Sequence, residues 1–416
     1  MDEAPMFTND AVIFGILALM LGFVFWTSDM KNPFWKRFYS IFPPLLLAYF
    51  LPSMLTTFGL VNPEESRLYF VASRYLLPAA LVILTAVADL PATLRLGPKA
   101  LIMFFTGMLG VMIGGPVALL LTSIIAPDLV GGAGPDAVWR GMATVAGSWI
   151  GGAANQTAIR EIFGTGAEAF SIWVAVDVIV ANIWLAILLS FAANQTRVDR
   201  WLKADVRALD DVKARAEAYE AQNARIPTLK DMILILALGF GAMGFAHFAS
   251  DIITPFFKTN FPNAAQFSVH SGFFWLIVVA TVIGVALSFT RARELQGAGA
   301  MKVGSVFVYI LVATVGLNMN VAALLKTPAY FLIGGLWITI HAVLLIIVAR
   351  LIRAPSFFLA VGSQANVGGA ASAPVVAAAF HPALAPVGAL LAVLGYVFGT
   401  FGAWITGQTM RLIAGQ

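Results

Sequence analysis

The sequence predicts an all-α polytopic membrane protein, and three observations predict it. Of its 416 residues 60% are hydrophobic and only 11% charged, with a mean hydropathy of +0.88, well outside soluble globular usage. Apolar runs of about 20 residues, the length of helix that crosses a bilayer core, recur along the whole chain. One polar phrase is written twice among them: Gly147-Ser148-x-x-Gly151-Gly152-Ala153-Ala154-Asn155 and Gly362-Ser363-x-x-x-x-Gly368-Gly369-Ala370-Ala371-Ser372, about 216 residues apart. Cysteine is absent, which excludes disulfides and thiolate metal sites but says nothing of compartment.

The first run, Ala11 to Trp26, follows an acidic flank and lacks a small-residue cleavage site, so it reads as a span and not as a cleaved signal peptide. Ten spans are expected, at about 10–27, 38–60, 68–88, 99–126, 168–194, 232–256, 270–290, 300–317, 328–350 and 384–410. The two motif segments, 141–164 and 355–380, are too rich in Gly, Ala, Ser, Asn and Gln for lipid-facing helices. Backbone that leaves the helical ladder at membrane depth is tolerated only where it is buried in protein or lines a cavity. Paired interruptions at matching places in two halves point to a transporter's binding site. A charged insert, 196–231, carries the i,i+4 pairs Asp199/Lys203 and Asp211/Arg215 and reads as a solvated linker helix. The expected organisation is a first half, 1–195, with hairpin 141–164; the linker; and a second half, 232–416, with hairpin 355–380.

Positive charge arbitrates whether the motif segments cross or dip in and return. If both are re-entrant, 18 Lys and Arg fall on one side, eight of them in the insert, against five on the other, namely Arg67, Arg140, Lys258, Lys326 and Arg411. If both cross, the best split is 16 against seven. The re-entrant topology is the better of the two. It makes the insert cytoplasmic, and five crossings per half then invert the second half against the first, with the hairpins meeting near the midplane. Leu84–Leu90 and Val312–Asn318 also correspond weakly, about 228 residues apart.

On these residues the chain resembles a YjcL-like membrane protein family, grouped with the cation/proton antiporters and sodium-coupled anion transporters. Its glycine-pair hairpins are similar, more distantly, to those of the sodium/glutamate and sodium/citrate symporters. The resemblance implies an elevator-type fold in which a dimerising scaffold domain holds a sliding transport domain. Gly-Gly-Ala-Ala stands where those symporters tend to have a third glycine, a departure that bears on the substrate more than on the fold.

The residues themselves supply the candidate site. Ser148, Asn155, Gln156, Gln364 and Asn366 are expected to bind solute. Thr157, Ser363 and Ser372 offer neutral oxygens to a sodium ion, as carbonyls do in selectivity filters. The bland alternative is that such side chains hold helices together. Asp177, mid-span with Asn182 beyond it, is a carboxylate at a depth where it must face a cavity or a partner, and both join the sodium set. Arg74 is placed either as a clamp on a substrate carboxylate or as a snorkelling side chain. Arg160 and Glu161 read as an ion pair at the hairpin mouth, and His341 as a packing residue or a proton relay. Asn318 and Asn320 fall at a loop edge.

The function expected is ion-coupled secondary transport of a small carboxylate-bearing solute, an amino acid, short peptide or organic acid, in the bacterial inner membrane. No cofactor beyond the coupling ion, a homodimer, and no nucleic-acid partner are expected. Oxygen donors that do not titrate favour sodium; a proton carried by Asp177, or export in place of uptake, is the alternative. An intramembrane hydrolase would need a nucleophile paired with a base, such as Ser148 with His341, and no spacing supports one. A passive channel would need a repeated filter, and the sequence has none.

Overall fold

A long apolar segment in lipid can satisfy its backbone N–H and C=O groups only within itself, and this chain does so as helices. The computed structural model describes residues 5–42, 44–88, 90–131, 134–205, 226–319, 328–381 and 384–416. In chain order the principal helices are α1 (Asp10–Ser28), α2 (Pro33–Ile41), α3 (Pro44–Thr57), α4 (Leu68–Ala86), α5 (Pro98–Ile125), α6 (Val138–Phe163), α7 (Ala167–Ala193), α8 (Gln195–Leu202), α9 (Leu229–Asn260), α10 (Gly272–Ser288), α11 (Ala300–Leu317), α12 (Tyr330–Leu351), α13 (Ser356–Val367), α14 (Gly369–Phe380) and α15 (Ala385–Ile413). Among the described residues eight of these, α1, α4, α5, α7, α9, α11, α12 and α15, are long and apolar enough to cross a membrane.

Two expected spans differ from this set. The second, 38–60, is the pair α2 and α3, bent by 83°. Pro44 opens α3 without an N–H to continue the ladder from α2. The seventh, 270–290, is α10, an apolar helix of only 17 residues.

The order of elements repeats. Four helical units, a broken hairpin and a last long helix run from α1 to α7 (α2 with α3 as one unit), and the same order runs from α9 to α15. The weakly similar heptapeptides fall at corresponding places, the C-terminal ends of α4 and α11, although Asp89 lies outside the described residues. Two packing groups result. In one, α1 packs on α3, α11 on α3 and α4, and α10 on α4 and α9; in the other, α5, α6, α7 and α12 to α15 pack on one another.

The insert does not form the i,i+4 pair expected at its start. Asp199 is buried, and its Oδ1 accepts the backbone N–H of Ser356 at 2.6 Å, capping the first turn of α13 from outside. Lys203 ends α8 in a left-handed conformation. Lys99 Nζ meets Asp205 Oδ2 at 3.0 Å, and the Asp205 N–H donates to the Arg353 carbonyl at 2.9 Å. The insert's first turns are thus fastened to the base of the second hairpin. Asp211 and Arg215 lie outside the described residues, and the segment resumes before α9, where Thr228 and Asp231 form a capping box.

Candidate functional site

The first motif segment returns to where it started. The Gly166 N–H donates to the Pro135 carbonyl at 2.8 Å, the Ala169 N–H to Asp136 Oδ1 at 3.0 Å, and the Arg140 side chain to the Phe163 carbonyl. A straight 26-residue helix would separate those ends by about 39 Å. The turn is made at Gly152, whose φ of 80° and ψ of −176° are open only to glycine. A methyl group built on Gly147 would lie 2.8 Å from the Asn155 carbonyl oxygen, so the two arms of α6 touch beside the turn.

The second motif segment folds the same way. Its arms are α13 and α14, joined at Gly368 and Gly369, and Gly369 has a φ of 58°. Gln364 Nε2 donates across the tip to Ser372 Oγ at 2.6 Å, and the Phe357 and Phe380 rings meet at 5.6 Å at the base. Positive φ therefore falls on the second glycine of each Gly-Gly-Ala-Ala phrase.

Both tips open on one cavity of about 480 Å³. Gly152, Ala153 and Ala154 line it from the first hairpin, and Gly368, Gly369 and Ala370 from the second. Each break starts a new helical arm, whose first N–H groups have no intrahelical carbonyl and carry partial positive charge. The only charged side chain on the wall, among the described residues, is Asp177. The opposite wall is largely apolar, built from Phe25, Leu45, Leu84, Met301 and Val308 of the other packing group, with Ser305 and Tyr309 among them.

Asp177 is held firmly. Trp149 Nε1 donates to Oδ1 at 2.6 Å and Gln156 Nε2 to Oδ2 at 3.0 Å, while the Ser148 side chain also hydrogen-bonds the carboxylate. Tyr49 OH donates in turn to Gln156 Oε1 at 3.2 Å, completing the orientation of that amide. Such a carboxylate keeps one lone-pair direction for the cavity.

Of the residues expected at the site, Ser148, Asp177, Asn182, Gln364 and Ser372 line this cavity. Six lie elsewhere. Gln156 stands behind Asp177, and Thr157 donates to the Ala153 carbonyl at 3.0 Å. Asn155 donates to the Gly151 carbonyl at 2.8 Å and accepts from Thr400 of α15. Asn366 makes the matching bond to the Gly362 carbonyl at 2.8 Å and a second to the Phe104 carbonyl at 2.9 Å. These two asparagines clasp the hairpins to α15 and α5. Ser363 receives Trp184 Nε1 at 2.7 Å and bonds His341 Nε2 at 2.8 Å; His341 Nδ1 meets the Gly107 carbonyl at 2.9 Å. Because a carbonyl can only accept, Nδ1 carries the proton, and Ser363 donates to Nε2.

Arg74 is not at the cavity either. Both its terminal nitrogens donate to Glu161 Oε2 at 3.0 Å, and Tyr69 OH donates to Glu161 Oε1. The mouth ion pair is therefore Arg74–Glu161, across α4 and α6, and not Arg160 with Glu161. Arg160 instead stacks on Phe170 and Tyr69, at 4.7 and 5.1 Å from the ring centres. Adjacent residues on a helix point about 100° apart, so Arg160 and Glu161 do not face each other. Asn318 caps α11 and donates to the Thr314 carbonyl at 3.2 Å; Asn320 lies outside the described residues.

Sequence reading missed Ser305, Tyr309 and Tyr396, which also line the cavity. The first two carried a usable signal, a Ser and a Tyr at i,i+4 on one face of an otherwise apolar span. Tyr396 carried none.

Fold and site together define a multi-pass, all-helical membrane protein with two broken helical hairpins converging on a buried cavity. The chain belongs to the family described as "Protein of unknown function (DUF819)", whose model matches residues 15–413. No curated protein matches it.

Proposed function

We propose that this chain is a sodium-coupled secondary transporter of a small carboxylate-bearing solute, working by an elevator-like alternation between its two packing groups. The observation that carries the reading is the meeting of both hairpin tips and Asp177 on one cavity between those groups. Opposed arm N-termini suit a carboxylate, and a lone carboxylate with neutral oxygens suits a monovalent cation. Ser148, Asp177 and the Asn182 carbonyl oxygen form the cation corner. The solute carboxylate goes to the backbone of the tips, since Arg74 is engaged by Glu161.

The repeated element order supports two inverted halves, and the YjcL-like resemblance and its transporter superfamily agree with this reading. On it the protein works as a homodimer in the bacterial inner membrane, with the insert cytoplasmic. Proton coupling through Asp177 is the rival. The test is reconstitution of the full chain into vesicles with an imposed inward sodium gradient at equal pH, followed by uptake of labelled amino and organic acids. Accumulation that collapses with the gradient supports the proposal. Accumulation driven by a pH gradient alone, with none under sodium, overturns the sodium assignment.

A further inference from the structure

The cavity's chemistry restricts the solute more tightly than the class of carboxylates does. Among the described residues no Lys, Arg or His lines it. A second carboxylate on the solute would therefore be buried without a cationic side chain to pair with, at a high desolvation cost. The wall facing the hairpins is mostly carbon, from Phe25, Leu45, Leu84, Met301 and Val308, with hydroxyls at Ser305 and Tyr309, and its apolar stretch rewards apolar burial. The tip itself carries an unmet acceptor: Gln364 is 2% exposed, its Nε2 is engaged by Ser372, and its Oε1 has no hydrogen-bond partner. A buried acceptor left unmade is costly, and a ligand that supplies a donor removes that cost.

We propose that the cavity takes a monocarboxylate with an N–H or O–H donor beside the carboxylate and an apolar body, as in an aliphatic 2-amino or 2-hydroxy acid. The carboxylate lies at the N-termini of the second hairpin arms. The neighbouring donor meets Gln364 Oε1 once that side chain turns toward the cavity it lines, and the body rests against the α4 and α11 wall. The assignment rests on the cavity being the solute site of the transporter proposed above, and it departs from the dicarboxylates and tricarboxylates handled by the symporters whose hairpins these resemble.

The test is binding to the purified full chain in sodium-containing detergent solution, read by thermal shift and calorimetry. The probes are leucine, 2-hydroxy-4-methylpentanoate, 4-methylpentanoate, glutamate and citrate. Leucine or the hydroxy acid should bind most tightly. 4-Methylpentanoate, lacking the donor, should be weaker by about tenfold, the worth of one hydrogen bond to a buried acceptor. Glutamate and citrate should be weaker still. Gln364→Met should abolish the difference between leucine and 4-methylpentanoate, and the near-isosteric Val308→Thr should weaken all apolar probes; if either variant fails to fold, the ligand series on the native chain decides alone. Glutamate or citrate binding as tightly as leucine would overturn the inference, as would equal binding of leucine and 4-methylpentanoate, or no binding by any probe. Sodium-dependent stabilisation, and its loss in Asp177→Asn, is read in the same samples without solute, so failure here is distinguishable from failure of the transporter reading.

Discussion

The backbone N–H of Gly166 lies 2.8 Å from the carbonyl oxygen of Pro135, so a segment long enough to cross a membrane leaves and re-enters the same end of the bundle. The positive-charge count favours this return independently of any geometry, and the Gly152 break makes it possible.

If both motif segments are re-entrant, residues flanking each one share a side. Single cysteines at Pro135 and Glu168, both exposed, should be modified by an impermeant thiol reagent from the same face of oriented vesicles. Cysteines at Leu351 and Ala379, exposed at the base of the second hairpin, should be modified only from the opposite face. Modification of Pro135 and Glu168 from opposite faces would mean a full crossing.

The tip glycines isolate backbone strain from packing. Gly152 and Gly369 hold positive φ, and a methyl group added to either would find no atom within 4 Å. Gly152→Ala and Gly369→Ala should each cost about 1–3 kcal/mol, the penalty of a sparsely populated positive-φ backbone for an L-residue. Gly151→Ala should cost more, because its methyl would meet Asn155 Nδ2 at 2.0 Å and the Gly395 carbonyl at 2.7 Å. Denaturant unfolding in detergent measures both, and equal losses at Gly151 and Gly152 would count against this account.

Asp177→Asn keeps the shape of the side chain but replaces an acceptor with an NH2 group facing Trp149 Nε1 or Gln156 Nε2. One donor is then left unpaired, at about 1–3 kcal/mol. Sodium should stabilise the native protein and no longer stabilise the variant, as shown by melting curves in sodium chloride and choline chloride at equal ionic strength. Undiminished sodium stabilisation of the variant would remove Asp177 from the cation corner.

Asn155 and Thr400 join the first hairpin to α15 with one buried hydrogen bond. Asn155→Ala and Thr400→Ala should each destabilise the protein, and the double variant should lose less than the sum, with a coupling of about 0.5–3 kcal/mol. Additive losses would show that the clasp contributes nothing beyond its parts.

Much of the fold was legible in the sequence because lipid leaves a helix as the one open way to satisfy an apolar run's backbone. Eight spans and both broken segments follow from run length and from glycine pairs set where helix continuity fails. What run length could not show is the break at Pro44, where a local steric rule interrupts a hydrophobic stretch that otherwise counts as one span.

The sequence by itself determined the class, eight of the spans and the chemistry of the site: neutral amides and hydroxyls around a single mid-span carboxylate. Only the tertiary structure decided which of them face the cavity. Asn155 and Gln364 look alike as amides in the same repeated phrase, yet Asn155 is consumed by Gly151 and Thr400 while Gln364 lines the cavity with its buried Oε1 unpaired. Arg74 is equally available as a clamp on sequence grounds, and the fold sets Glu161 against it. The reason is physical: a buried polar group takes whatever partner the fold brings within about 3 Å, and that partner is set by which helices touch, a long-range fact that no local spacing encodes.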